Sequence, residues 1–157
     1  MRALFAGTLM VLAAPAAADD KAVVGVWKHI SVVQEDVETK ERVAAFGAQS
    51  HGFLIITPEG QWTAITTAGG RTVPKTEAEK AAAFESMIAY SGKYRIEGNK
   101  VTVRPEVAWN ESYIGTDQIR FFRLDGDRML IASAPRPNPN MAGKVTVSVT
   151  VWEREKF

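Results

Sequence analysis

Lys144-Val145-Thr146-Val147-Ser148-Val149-Thr150-Val151-Trp152-Glu153, close to the end of the 157-residue chain, alternates apolar residues with small hydroxylated ones. Successive side chains of a strand point to opposite faces, so this run reads as a β-strand with two unlike faces. Working back from it, Met129 to Ser133 is joined through Asp125-Gly126-Asp127 to Gln118 to Leu124. Val101 to Val107 is joined through Gly98-Asn99 to Lys93 to Glu97, and Trp62 to Thr67 through Thr57-Pro58-Glu59-Gly60 to Phe53 to Thr57. Pro followed two residues later by Gly, between apolar runs, is a hairpin turn: Pro presets one φ and Gly accepts a positive one. Val24 to Gln34, rich in Val, Trp and Ile, is the first run. The count is eight strands, six of them forming three tight hairpins.

One segment breaks this rhythm. Thr76 to Ala89 is rich in Ala, Glu and Lys, all good helix formers. Thr76 with Glu79 makes a capping-box pattern, and Gly92 stands where the chain is expected to leave the helix. Ala81, Phe84, Met87 and Ile88 fall on one side at helical spacing, which predicts an apolar face packed on a barrel wall or over one mouth. The fold class is therefore all-β with one inserted helix. Eight sequential antiparallel strands favour an up-and-down barrel, because closure removes exposed edges. Strand count alone also admits a two-layer sandwich.

Before these runs, Met1-Arg2, an apolar stretch from Ala3 to Leu12, and Ala16-Ala17-Ala18 followed by Asp19-Asp20 have the order of a secretory signal peptide. The apolar stretch is shorter than the roughly 20 residues a bilayer span needs. The expected division is a leader over 1–18 and one domain over 19–157, with the periplasm or the medium as destination. That leaves no integral membrane segment after leader removal. The chain has no cysteine, and a domain of this size folds without staples. It holds 19 Lys and Arg against 18 Asp and Glu, and losing Arg2 equalises them. Nucleic acid is an unsuitable partner for a chain with no basic excess.

Gly25-Val26-Trp27 near the start and Trp152-Glu153-Arg154 at the end resemble the G-x-W and terminal Arg of lipocalins and related calycin barrels. Residues Gly52 to Gly60, Ile88 to Tyr94 and Gly115 to Phe122 resemble, in order, stretches of the lipocalin-like domain family of bacterial and fungal proteins. The resemblance runs from about Gly25 to Arg154. It implies a barrel whose first-strand Trp27 plugs the closed end beneath the Arg154 guanidinium, with Gly25 beside them. It brings no agreed reaction. Members often carry a histidine on the strand before the position of Glu106, where this chain reads Val103-Arg104, so no role of that histidine carries over.

His29 and His51 are the only histidines. Zinc takes three or four His, Cys or carboxylate ligands, so no metal site and no cofactor are expected. No serine sits in a G-x-S-x-G elbow, and no phosphate-cradling glycine loop follows Gly69-Gly70. Strand parity with Trp27 puts His29, Ser31 and Val33 inside, and Tyr94 and Ile96 inside on the fourth strand. Phe53 and Trp62 are the expected contributions of the first hairpin. Arg104 and Arg120 read first as outer-face residues paired with Glu106, Asp117 or another acid; an inward arginine would instead anchor an acidic head group. The candidate ligand-binding set is His29, Phe53, Trp62, Tyr90, Tyr94, Ile96 and Arg120, around a small apolar or amphipathic molecule.

Two other readings stand beside this carrier. One is an isomerase or cyclase using His29 with Tyr90 or Tyr94, which leaves catalytic activity open. The other is a protein-interaction module presenting the loop Ala134 to Ala142, stiffened by Pro135, Pro137 and Pro139. The helix and the loop Gly69 to Lys75 are expected to flank the mouth. Ligand identity and oligomeric state are not legible.

Overall fold

The β-prone runs all form strands in a computed structural model that describes residues 20–47, 49–138 and 141–156. The expected leader and Pro139 lie outside the described residues. In chain order the elements are β1 (Gly25–Asp36), β2 (Arg42–Ala44), β3 (His51–Ile56), β4 (Gln61–Thr67), α1 (Glu77–Glu85), β5 (Met87–Glu97), β6 (Lys100–Ala108), β7 (Gln118–Asp125), β8 (Arg128–Ser133), β9 (Arg136–Pro137) and β10 (Val145–Arg154). From β3 to β8 each strand pairs antiparallel with the next; β8 pairs with β10, β10 with β1, and β1 with β3. The ring of eight is an up-and-down barrel, which removes the sandwich alternative. The two-residue β9 pairs with the start of β10, and β2 pairs with the second half of β1.

All three hairpin turns, at 57–60, 98–99 and 126–127, fall at the end of the barrel where β1 begins and β10 finishes. The longer connections, including the one that carries α1, fall at the other end. The first end is therefore closed by tight turns, and the second is the mouth. No helix among the described residues is long and apolar enough to cross a membrane.

Trp27 is fully buried at the closed end, where its indole Nε1 donates to Val23 O at 2.8 Å. The Arg154 guanidinium carbon lies 4.1 Å above the ring centroid, while Nη1 donates to Val24 O at 2.9 Å and Nη2 to Ala22 O at 2.6 Å. One side chain thus caps the indole by cation–π attraction and ties down the segment leading into β1. Gly25 is required there. Its φ is +143°, and a Cβ would stand 2.7 Å from Arg154 Nη1.

Three expectations are corrected by local geometry. Along β1 the β10 partner of His29 is Trp152 and that of Ser31 is Val151, so Ile30 is bulged out of register. The bulge flips the parity beyond it: Val32 is buried, whereas Ser31 is exposed and Val33 is half-buried and off the cavity wall. Phe53 faces outward and is 49% exposed, because Leu54 and Ile56 take the inward positions of β3. The helix keeps its capping box, with Thr76 accepting from Glu79 N, but ends at Glu85 with no buried residue. Met87 and Ile88 belong to β5, and Gly92 lies buried inside that strand at a second bulge. A Cβ on Gly92 would come within 2.0 Å of Arg104 O, so glycine lets β6 approach there.

At the mouth, Asp36 is 3% exposed and its Oδ1 accepts the N–H groups of Thr39 at 3.0 Å and Glu38 at 2.8 Å. Lys144 Nζ stands 3.3 Å from Asp36 Oδ2 and 3.4 Å from Glu41 Oε2, pinning β10 to the turn after β1. The Thr39 N–H above all, with the Glu38 N–H and Lys144, holds the Asp36 carboxyl below its ordinary value against the opposing effect of burial.

Two predictions follow from these end contacts. Replacing Arg154 by Met removes the cation–π contact and two hydrogen bonds, and urea unfolding is expected to show a loss of about 2–4 kcal/mol. A loss below about 0.5 kcal/mol, the scale of an ordinary surface substitution, would mean that the closed end does not depend on it. For Asp36, a depressed folded value means stability present above the unfolded value of about 3.9 and lost as pH falls through the folded one. Thermal melts from pH 6 down to 3 should show Asp36→Asn with a shallower fall than the unmodified protein; identical slopes would remove Asp36 from that acid response.

Candidate functional site

The β10 alternation determines the chemistry of the mouth. Thr146, Ser148, Thr150 and Trp152 point into the barrel, whereas Val147, Val149 and Val151 line its outer side half-buried and Val145 is exposed. The pairing of His29 with Trp152 sets this choice, since partners across a ladder share a face. Polar groups therefore line the upper interior. Thr146 Oγ1 donates to Gln34 Oε1 at 3.2 Å, and Asn138 Nδ2 donates to Thr146 Oγ1 at 3.3 Å. Ser133 Oγ accepts from Ser148 N at 2.9 Å and donates to Ala134 O at 3.0 Å, capping the β8–β10 ladder.

Below this layer is a cavity of about 90 Å³, with His29, Thr66, Arg120, Ser148, Thr150 and Trp152 on its polar side. Val32, Ala64, Ile88, Tyr90, Tyr113 and Ile131 supply apolar wall. Gln34, Ala45, Phe46 and Arg136 also border a wider vestibule of about 460 Å³ formed against β2, β9 and Glu85. An aromatic series connects cavity and helix: Tyr90 to Tyr113 at 5.6 Å, Tyr113 to Trp109 at 4.6 Å, and Trp109 to Phe84 at 6.4 Å between centroids. Phe84 is thus the helix's link to the mouth.

Of the residues expected from sequence, His29, Tyr90 and Arg120 come together on this cavity. Trp62, Tyr94 and Ile96 point inward but pack in or against the core on the closed side and do not line it. The Tyr94 hydroxyl donates to Thr57 O at 2.9 Å beside the first hairpin, so it is committed to structure. Phe53, on the outer face, has no place in the site. Arg104 lies outside with Asp117 at 3.5 Å, beside Arg95 at 3.6 Å from the same carboxylate. Arg120 departs from the outer-face expectation. Its β-ladder partners are Val101 and Ser133, both buried, which turns it inward. Its Nη1 donates to Ile119 O at 2.9 Å and its Nη2 to Gln118 Oε1 at 3.3 Å.

His29 and Trp152, each 5% exposed, meet edge to face with centroids 5.0 Å apart. His29 Nδ1 lies 3.4 Å from Ser50 Oγ, while His29 Nε2 and Trp152 Nε1 have no hydrogen-bond partner among the described residues. A buried polar atom left in this way costs about 1–3 kcal/mol. Tyr113, Arg136 and Trp152 escaped sequence reasoning as site residues. The hydroxyl-bearing positions of β10 were visible as a pattern, but which face turns inward was not.

Burial, aided by the nearby charge of His51, pushes the His29 imidazole below its ordinary value; the Ser50 hydrogen bond opposes this. The shift favours the neutral ring. An NMR titration of the His29 ring should give a midpoint below about 6.5, and the stability tied to the neutral ring should be lost as pH falls below that value. A midpoint at or above it would contradict a desolvated site.

A closed eight-stranded ring, an indole plug under a terminal arginine and a cavity at the open end are now established together. No curated protein matches this chain. The model of the lipocalin-like domain matches residues 24–155, from just before β1 to just beyond β10, and the chain belongs to that lipocalin-like family.

Proposed function

We propose that the protein is an exported carrier whose leader over 1–18 is removed and whose barrel holds a small amphipathic molecule at the mouth. The observation that carries this reading is the half-polar cavity lined by His29, Arg120, Ser148, Thr150 and Trp152 on one side and by Val32, Ala64, Ile88, Tyr90 and Ile131 on the other. At about 90 Å³ the cavity is smaller than the roughly 300–1,000 Å³ of drug-sized sites. The buried part of the ligand is accordingly a small head group, and the remainder lies in the vestibule. A tail burying roughly 150–200 Å² of apolar surface there contributes about 4–5 kcal/mol before association costs.

Native mass spectrometry of protein purified from its own host tests the carrier directly. The expected species is a chain beginning at Asp19 with a small adduct that is lost on denaturation. Thr150→Phe, which fills the cavity, should abolish the adduct while leaving the fold intact. An adduct unaffected by Thr150→Phe would place the ligand elsewhere, and recovery of the full 157-residue chain from the cytoplasm would end the export half of the proposal.

A further inference from the structure

Resting on that carrier reading, we infer that the ligand is a small organic acid whose carboxylate is held by Arg120. The first ground is charge. Arg120 and Arg136 both line the cavity, no Asp or Glu lines it, and neither arginine has an ion-pair partner among the described residues. By contrast, the outer-face Arg95 and Arg104 share Asp117, and the inner carboxylate at the mouth, Asp36, is engaged by Lys144. A cationic wall without a counter-charge, bounded by low-dielectric walls, concentrates positive potential on whatever enters.

The second ground is hydrogen-bond polarity. A guanidinium is donor-only, and two of them, Arg120 and Arg136, belong to residues that line the cavity. Arg120 makes the contacts to Ile119 O and Gln118 Oε1, which leaves other N–H groups of its fork for a guest. Ser148 and Thr150 add hydroxyls that can turn to donate. An ionised carboxylate is acceptor-only and accepts a guanidinium fork through two oxygens, so it matches this donor-rich wall. An alcohol fills the same space with one donor too many, and an amine meets the arginines with like charge. Arg136 stands where cavity and vestibule join, and Glu85 is the one carboxylate among the residues that border the vestibule.

Hexanoate, hexanol and hexylamine share a six-carbon chain and differ in the head group, so they isolate this contribution. Titrations followed by calorimetry and by the Trp152 indole N–H resonance are expected to rank hexanoate at least tenfold tighter than hexanol, with hexylamine weakest. Arg120→Gln should weaken hexanoate at least tenfold and leave hexanol within twofold. Arg120→Lys keeps charge without the fork and should fall between them; it also serves if the Gln variant does not fold. Arg104→Gln, on the outer face, should change nothing. Hexanol binding as tightly as hexanoate, or a preference surviving Arg120→Gln, would overturn the acid while leaving the carrier standing. Failure of all three probes to bind would overturn both.

Discussion

The pairing of β1 with β10, sealed by the Arg154 guanidinium over the Trp27 indole, is the constraint on which the rest of the molecule depends. The strands that meet there begin and end the domain, so their pairing spans the whole barrel sequence and carries a large entropic cost of closure. Local hairpins cannot supply that contact. A buried indole with its N–H satisfied by Val23 and its face covered by a cation supplies it at one point, and the two carbonyl contacts of Arg154 fix the entry of β1. From this point the ladder runs along the seam from Trp27↔Arg154 to Asp36↔Thr146.

The same seam determines what the mouth can do. A ladder without irregularity would keep one parity from Trp27 to Asp36 and bring Ser31 and Val33 inside. The bulge at Ile30 brings Val32, Gln34 and Asp36 inside instead, opposite a β10 face made of Thr146, Ser148 and Thr150. The barrel thus has an apolar closed half built on Trp27, Leu54, Ile56 and Trp62, and an open half of mixed polar and apolar lining. His29 and Trp152 lie at the boundary, where burial lowers the basicity of the imidazole and leaves two nitrogens without protein partners. Site polarity here is a consequence of strand register.

Much of the architecture was legible because alternation and turn chemistry are local signals. Thr57 to Gly60, Gly98-Asn99 and Asp125 to Asp127 each marked a hairpin that the structure contains, and Thr76 with Glu79 marked the start of α1. The misreadings have equally local causes. Phe53, Leu54, Ile55 and Ile56 are apolar on both faces, so periodicity could not choose a side, and Phe53 fell outward. Met87 and Ile88 fit a helical stripe as well as a strand, and cross-strand pairing with Thr67 and Thr66 decided for β5. Arg120 looked solvated because arginine usually is; only its pairing with Val101 and Ser133 turns it inward. A bulge leaves no trace in composition, so the parity of β1 beyond Ile30 required the structure.

Interstrand nuclear Overhauser contacts between β1 and β10 test the closure and its bulge together. The account predicts contacts pairing His29 with Trp152 and Val33 with Val149, and one residue between them without a partner. A regular ladder would place Val151 opposite Ile30 and Val149 opposite Val32, which turns Val32, Gln34 and Asp36 away from the interior and contradicts the β1 side of the mouth.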